Sequence, residues 1–322
     1  MYRIIISLIL ILAVNISFAG NINTITPNNG NSGETLTVTI TGTDTHFSQG
    51  STTVSLVNYD NTPYYLNVYD VSIANDLNLS ATVSIPVNAN GYYSLYIYNS
   101  YDGQIYLNQA FNVTGPYIDN VTPNTANAGE SLQVSITGAN TNYLDASENI
   151  VYLIDQASTT RVYGTSVTAL SNLSMTSNFS LPTTATDGMY NLTTLNTING
   201  KITKQDAIYI NGPTISNISP DSANAGETIT VTITGVNTHF SGSDEIKLFH
   251  YTGTNTTIFG TNNYFIDETH IQTDFSIPSH IQSGNTQLTI DNTIDGLISY
   301  NNAIVIRGCE LISIFPDNEI II

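Results

Sequence analysis

Gly33-Glu34-Thr35-Leu36-Thr37-Val38-Thr39-Ile40-Thr41-Gly42 alternates apolar and polar side chains one by one. Side chains point to opposite faces of a β-strand in turn, so this period of two predicts a strand with one buried and one wet face. The pattern returns at Gly129-Glu130, with Leu132, Val134 and Ile136 in the apolar places, and at Gly226-Glu227, with Ile229, Val231 and Ile233. Each copy ends in Thr-Gly, at Gly42, Gly138 and Gly235. Upstream lie Ile22-Asn23-Thr24-Ile25-Thr26-Pro27, Ile118-Asp119-Asn120-Val121-Thr122-Pro123 and Ile215-Ser216-Asn217-Ile218-Ser219-Pro220, their prolines 96 and 97 residues apart.

The phase holds downstream. Ser84-Ile85-Pro86, Ser180-Leu181-Pro182 and Ser276-Ile277-Pro278 are followed by Gly91, Gly188 and Gly284. A strand then runs to a turn dipeptide, Asp102-Gly103, Asn199-Gly200 or Asp295-Gly296, and a last strand follows Ala110, Ala207 or Ala303. Such dipeptides signal hairpins, and positive φ is expected at both turn residues. Repeats of about 100 residues with several short strands and no helical period predict an all-β chain of three tandem immunoglobulin-like β-sandwiches. The expected layout is a signal peptide at 1–19, repeats at 20–114, 115–211 and 212–307, and a tail at 308–322. The short proline-bearing joints Thr114-Gly115-Pro116 and Asn211-Gly212-Pro213 predict a semi-rigid rod.

The Ile-x-x-Ile-x-Pro, Gly-Glu, alternating strand and Thr-Gly series resembles the opening of IPT/TIG-type immunoglobulin-like domains. The resemblance implies an early-set sandwich of the kind found in bacterial secreted and surface proteins, in receptors and adhesins, and beside enzymes as an accessory module. It carries over no catalytic residue.

Composition narrows the function. Six Lys+Arg stand against 25 Asp+Glu, a formal net charge of −19. Nucleic acid needs a basic footprint and is excluded as a partner; docking on anionic lipid is disfavoured for the same reason. Only 10% of residues are charged and 41% are hydrophobic, which suits packed cores rather than an acidic disordered chain. One cysteine, Cys309, allows no internal disulfide, and the absence of Trp departs from antibody-type domains.

Both ends carry expectations. Arg3, the apolar run Ile4 to Val14 and the small residues of Ser17-Phe18-Ala19 read as a signal peptide cleaved after Ala19, which predicts a secreted or cell-surface protein. The run is shorter than the ~20 residues of a membrane span, so no membrane insertion is expected after cleavage. Leu311-Ile312-Ser313-Ile314-Phe315-Pro316 places a proline 96 residues after Pro220, in phase for a fourth repeat. It also resembles the start of a type IX secretion sorting tail, although a second proline and the following strands are missing. A chain cut from a longer parent is the expectation.

No catalytic machinery is expected. His46 and His239 share one repeat position, in Thr-His-Phe, where the second repeat has Thr141-Asn142-Tyr143, and are read as loop packing elements. His250, His270 and His280 match no zinc spacing and are read as scattered surface residues. Glu34, Glu130 and Glu227 are repeat-equivalent turn residues rather than paired catalytic carboxylates. No cofactor is expected: calcium is considered for the Asp and Asn groups around Asp119-Asn120 and Asp221, but solvated acidic loops account for these. The first repeat differs by holding ten of the 20 tyrosines and no Lys or Arg. If Leu95 and Ile97 face the core, Tyr96 and Tyr98 face outward; Tyr65 and Tyr69 do likewise if Leu66 and Val68 point inward. These four form the candidate ligand-binding face, for carbohydrate or a surface protein. The functions weighed are a non-catalytic adhesion or spacer protein, the accessory rod of a secreted enzyme, and a carbohydrate-binding module. Oligomeric state is left open.

Overall fold

A computed structural model describes residues 20–58, 65–155, 160–253 and 255–308. The expected signal peptide, Cys309 and the rest of the tail lie outside these residues, as do Tyr59 and Tyr64. The described residues contain strands and no helix.

The first repeat holds β1 (Asn21–Thr26), β2 (Asn29–Asn31), β3 (Thr35–Thr43), β4 (Thr52–Val57), β5 (Asn67–Asn75), β6 (Asn78–Ser84), β7 (Gly91–Asn99) and β8 (Gly103–Thr114). They make two sheets, β1-β3-β6-β5 and β2-β8-β7-β4. The alternation explains the layering. Val38 and Ile40 of β3 and Leu95 and Ile97 of β7 are fully buried in one hydrophobic core, each such side chain contributing about 1.5–3 kcal/mol. The chain changes sheets at Pro27: β1 pairs antiparallel with β3, and β2 pairs parallel with β8. The Thr26-Pro27 bond is cis, as are Thr122-Pro123 and Ser219-Pro220.

The second repeat follows the same plan with β9 (Tyr117–Thr122), β10 (Thr125–Asn127), β11 (Ser131–Ala139), β12 (Asn149–Asp155), β13 (Arg161–Tyr163), β14 (Thr165–Ser171), β15 (Ser174–Ser180), β16 (Gly188–Asn196) and β17 (Gly200–Asn211). The third has β18 (Thr214–Ser219), β19 (Ser222–Asn224), β20 (Thr228–Val236), β21 (Glu245–His250), β22 (Thr256–Asp267), β23 (His270–Ser276), β24 (Gly284–Asn292), β25 (Gly296–Tyr300) and β26 (Val305–Arg307). Their sheets run β14-β15-β11-β9 and β10-β17-β16-β12-β13 in the second repeat. In the third, the long β22 pairs first with β21 and then with β23, so the two layers are joined through one strand. Each repeat has its own core. By compactness the chain forms two units, the first built on the first repeat and the second on the other two.

Left-handed backbone recurs with the repeat. Among the described residues, the non-glycine residues with positive φ fall in three equivalent sets: Asp44, Asn140 and Asn237; Asp70, Ser166 and Asn262; Gln109, Asp206 and Asn302. Asp and Asn tolerate this region better than most side chains. The second set sits at the bulge where β5, β14 and β22 slip register on their neighbours, a usual way to bend an edge strand.

Candidate functional site

The residue types that suggest chemistry in this sequence are built into the repeat. Glu34 accepts a hydrogen bond at 2.7 Å from the Asn31 backbone N–H; Glu130 and Glu227 do the same for Asn127 and Asn224, each at 2.8 Å. The carboxylate of each Gly-Glu pair therefore closes the turn that leads into the alternating strand.

The two Thr-His-Phe loops are clamped by the aspartates of the hairpin turns. Asp102 accepts from the His46 backbone N–H at 2.7 Å and lies 2.6 Å from His46 Nδ1. Asp295 holds His239 in the same way, at 2.6 and 2.7 Å. Both aspartate side chains are wholly buried. Asn99 and Asn292 complete the two networks, each donating to the histidine carbonyl and accepting from backbone N–H groups of the turn. The following Phe47 and Phe240 are core residues. Thr45 packs so closely over Gly42 that a Cβ there would lie 2.6 Å from its side chain, which explains the Thr-Gly ending. The second repeat has buried Asn199 at the turn position and Asn142 at the histidine position.

Positive φ was expected at both residues of the Asp-Gly and Asn-Gly turns, but only Gly103, Gly200 and Gly296 adopt it. At Asp102 and Asp295 the preceding residue is selected by its inward hydrogen bonds instead, as in a longer loop closed by a glycine bulge. His250 is buried at the end of β21, not on the surface, and its ring nitrogens have no partner among the described residues. The absence of a side chain at Gly284 makes room for it: a Cβ there would lie 2.9 Å from Nε2.

What remains unabsorbed is the tyrosine set. Leu66 is buried and Val68 packs on the core. Tyr98 of β7 is 55% exposed. Tyr96 is half-buried because it stacks on Tyr106 of β8, with ring centroids 5.8 Å apart and planes 27° apart. The two are direct cross-strand partners. Tyr65 bridges Val57 of β4 and is 63% exposed. Tyr69 does not join them: it is on β5, paired with Thr82 of β6, in the opposite sheet. Tyr106 and Tyr92 also belong to this face, both more than half exposed. Tyr92 shares the outward phase of β7 with Tyr96 and Tyr98, which could be counted from Leu95. Tyr106 could be placed only through hairpin register. Beneath this face Tyr93 is wholly buried, and burial pushes its phenol above the usual value.

The outward residues beside these rings are Thr53, Ser55, Ser94, Gln104 and Asn112. None is charged. No group of three or more His, Cys, Asp or Glu among the described residues is arranged to hold a metal ion. Among the described residues no helix is long and apolar enough to cross a membrane.

No family model matches the chain, and no curated protein matches it. Solved structures do. The titin I-band fragment I67–I69 is similar over 88% of this chain and 95% of its own, at 12% identity and a TM-score of 0.25. A marsupial T cell receptor is similar over 88% and 96%, at 8% identity and a TM-score of 0.35. The plexin A4 extracellular region is similar over 89% of this chain, at 14% identity and a TM-score of 0.25, and the chain spans 24% of its length. The all-β, sandwich-layered class of the chain is read from its own sheets.

Proposed function

We propose that the chain is a non-catalytic extracellular adhesion or spacer protein, whose immunoglobulin-like repeats hold a binding surface away from its anchoring point. One observation carries this reading: Glu34, Glu130, Glu227, His46, Asp102, His239 and Asp295 are taken up by structural hydrogen bonds repeated from copy to copy. An active site would break the repeat in one copy. The surface feature that does break it is the aromatic sheet face of the first repeat, with Tyr65, Tyr96 and Tyr98 as its proposed contact residues and Tyr69 on the reverse sheet. Export rests on the leader-like sequence at 1–19.

The test is localisation. In cells expressing the natural gene, an antibody to the repeats should label intact cells or the medium, added protease should remove the surface label, and the mature protein should begin at Gly20. A protein confined to lysed cells, with Met1 retained, would sink the proposal.

A further inference from the structure

We propose that the outer face of the β2-β8-β7-β4 sheet binds a neutral polysaccharide laid across Tyr92, Tyr96, Tyr98 and Tyr106. This rests on the reading of the chain as an extracellular binding protein and names the ligand class.

The chemistry of the face selects that class. Tyrosine offers an apolar ring with a hydroxyl at its tip. A sugar ring has the complementary make-up, an apolar C–H face rimmed by hydroxyls. Around the rings stand hydroxyl and amide side chains, Thr53, Ser55, Ser94, Gln104 and Asn112, which both donate and accept. Charge decides against acidic ligands. Residues 20–114 contain no Lys or Arg, while Glu34, Asp44, Asp60, Asp70, Asp76 and Asp102 give the repeat a negative sign. An anionic polymer would meet repulsion with no cation to hold it. A protein partner would normally exploit Arg and charged rim pairs, which this face lacks.

Geometry favours a chain over a single sugar. At ~3.4 Å per strand residue, Tyr96 and Tyr98 stand roughly 7 Å apart, and Tyr92 lies about 14 Å from Tyr96 along the same strand. The stacked Tyr96–Tyr106 pair widens this line across the hairpin. The face is an open sheet surface, which suits a polymer passing over it.

The other repeats show that the fold does not require these rings. The Tyr96–Tyr106 pair is replaced by Thr193 and Thr203, whose hydroxyls hydrogen-bond at 2.9 Å, and by Thr289 facing Ser299. Tyr92 corresponds to Met189 and Asn285, and Tyr98 to Leu195 and Asp291. The same backbone positions serve three sandwiches, and only the first makes them aromatic.

The repeats also supply the test. The full mature chain is titrated with hydroxyethyl cellulose, galactomannan and dextran, with polygalacturonate as the anionic comparison, by affinity electrophoresis and calorimetry. The expected result is saturable binding to at least one neutral polymer and none to polygalacturonate. The variant Tyr96→Thr with Tyr106→Thr, copied from the second repeat, should weaken binding at least tenfold with an unchanged melting curve. Should it unfold, nitration of the natural chain decides: the neutral polymer should protect Tyr92, Tyr98 and Tyr106 and leave Tyr163 and Tyr264 reactive. Absence of binding to every neutral polymer, equal binding to polygalacturonate, undiminished binding by the folded variant, or unprotected tyrosines would each overturn the inference. A chain that is surface-exposed yet binds no neutral polymer sinks this inference alone; one that never leaves the cell sinks the function it rests on.

Discussion

Asp102 shows how much one buried side chain does here. Its carboxylate is wholly covered and receives the His46 main-chain N–H and the His46 ring. Removing it leaves a buried donor without its partner, a loss of about 1–3 kcal/mol. Asp102→Ala should therefore destabilise the first repeat by that amount, read by denaturant unfolding and by faster hydrogen exchange at the His46 amide. The double change His46→Asn with Asp102→Asn reproduces the second repeat's Asn142 and Asn199 and should restore most of the loss. Failure of the double change to recover stability would mean the two loops are held differently. The equivalence of His46 and His239 was visible in the sequence and marked them as structural. Their aspartate partners were not, since 56 residues separate each pair and only folding brings the hairpin turn beneath the loop.

Among the elements, the strand that crosses between layers is tuned copy by copy. Gly260 of β22 faces Phe275 of β23, and a Cβ on it would lie 2.4 Å from the Thr273 hydroxyl and 3.1 Å from the Ile246 carbonyl. In the second repeat Gly164 is crowded by Ser177 and Phe179 in the same way. The first repeat has Val68 there, facing Val83, with Ala81 beside it. Small meets large in two copies and medium meets medium in the third, keeping the filled volume near constant. Gly260→Val should cost about 1–3 kcal/mol by overpacking, and adding Thr273→Ala should recover part of it in thermal melts of the third repeat. A neutral single substitution would show that the crossing has slack. The alternating strands β3, β11 and β20 were fully legible as sequence, because a one-residue slip would turn every apolar side chain to water. The bulges at Asp70, Ser166 and Asn262 were not, since their neighbours carry no common turn signature.

For the whole molecule the governing fact is acidity with few cations, a net charge of −19 with six Lys+Arg. Several carboxylates are held by neutral donors or by histidine. Hydrogen bonds from His270 and then Thr269 bring Asp267 to about 2, from the ordinary 3.8. Ser48 and Gln49 lower Asp76, and Thr230 and Asn262 lower Asp274. A group whose pKa is depressed on folding adds stability above its unfolded value and loses it as pH falls through the folded one. The stability these three carboxylates add should therefore be fully present above about pH 4 and be lost toward pH 2, and Asp267→Asn should flatten that decline in the third repeat. A melting temperature that rises between pH 4 and pH 2 would contradict these assignments. By itself the sequence determined the all-β class and the three cores, because period-two alternation and a recurring spacing are local properties that survive without coordinates. Only the tertiary structure decided which tyrosines share a surface. Tyr96 and Tyr106 meet through hairpin register, Tyr65 reaches the same sheet by bridging β4, and Tyr69, four residues later, lies on the other side of the sandwich, because the chain changes layers between them.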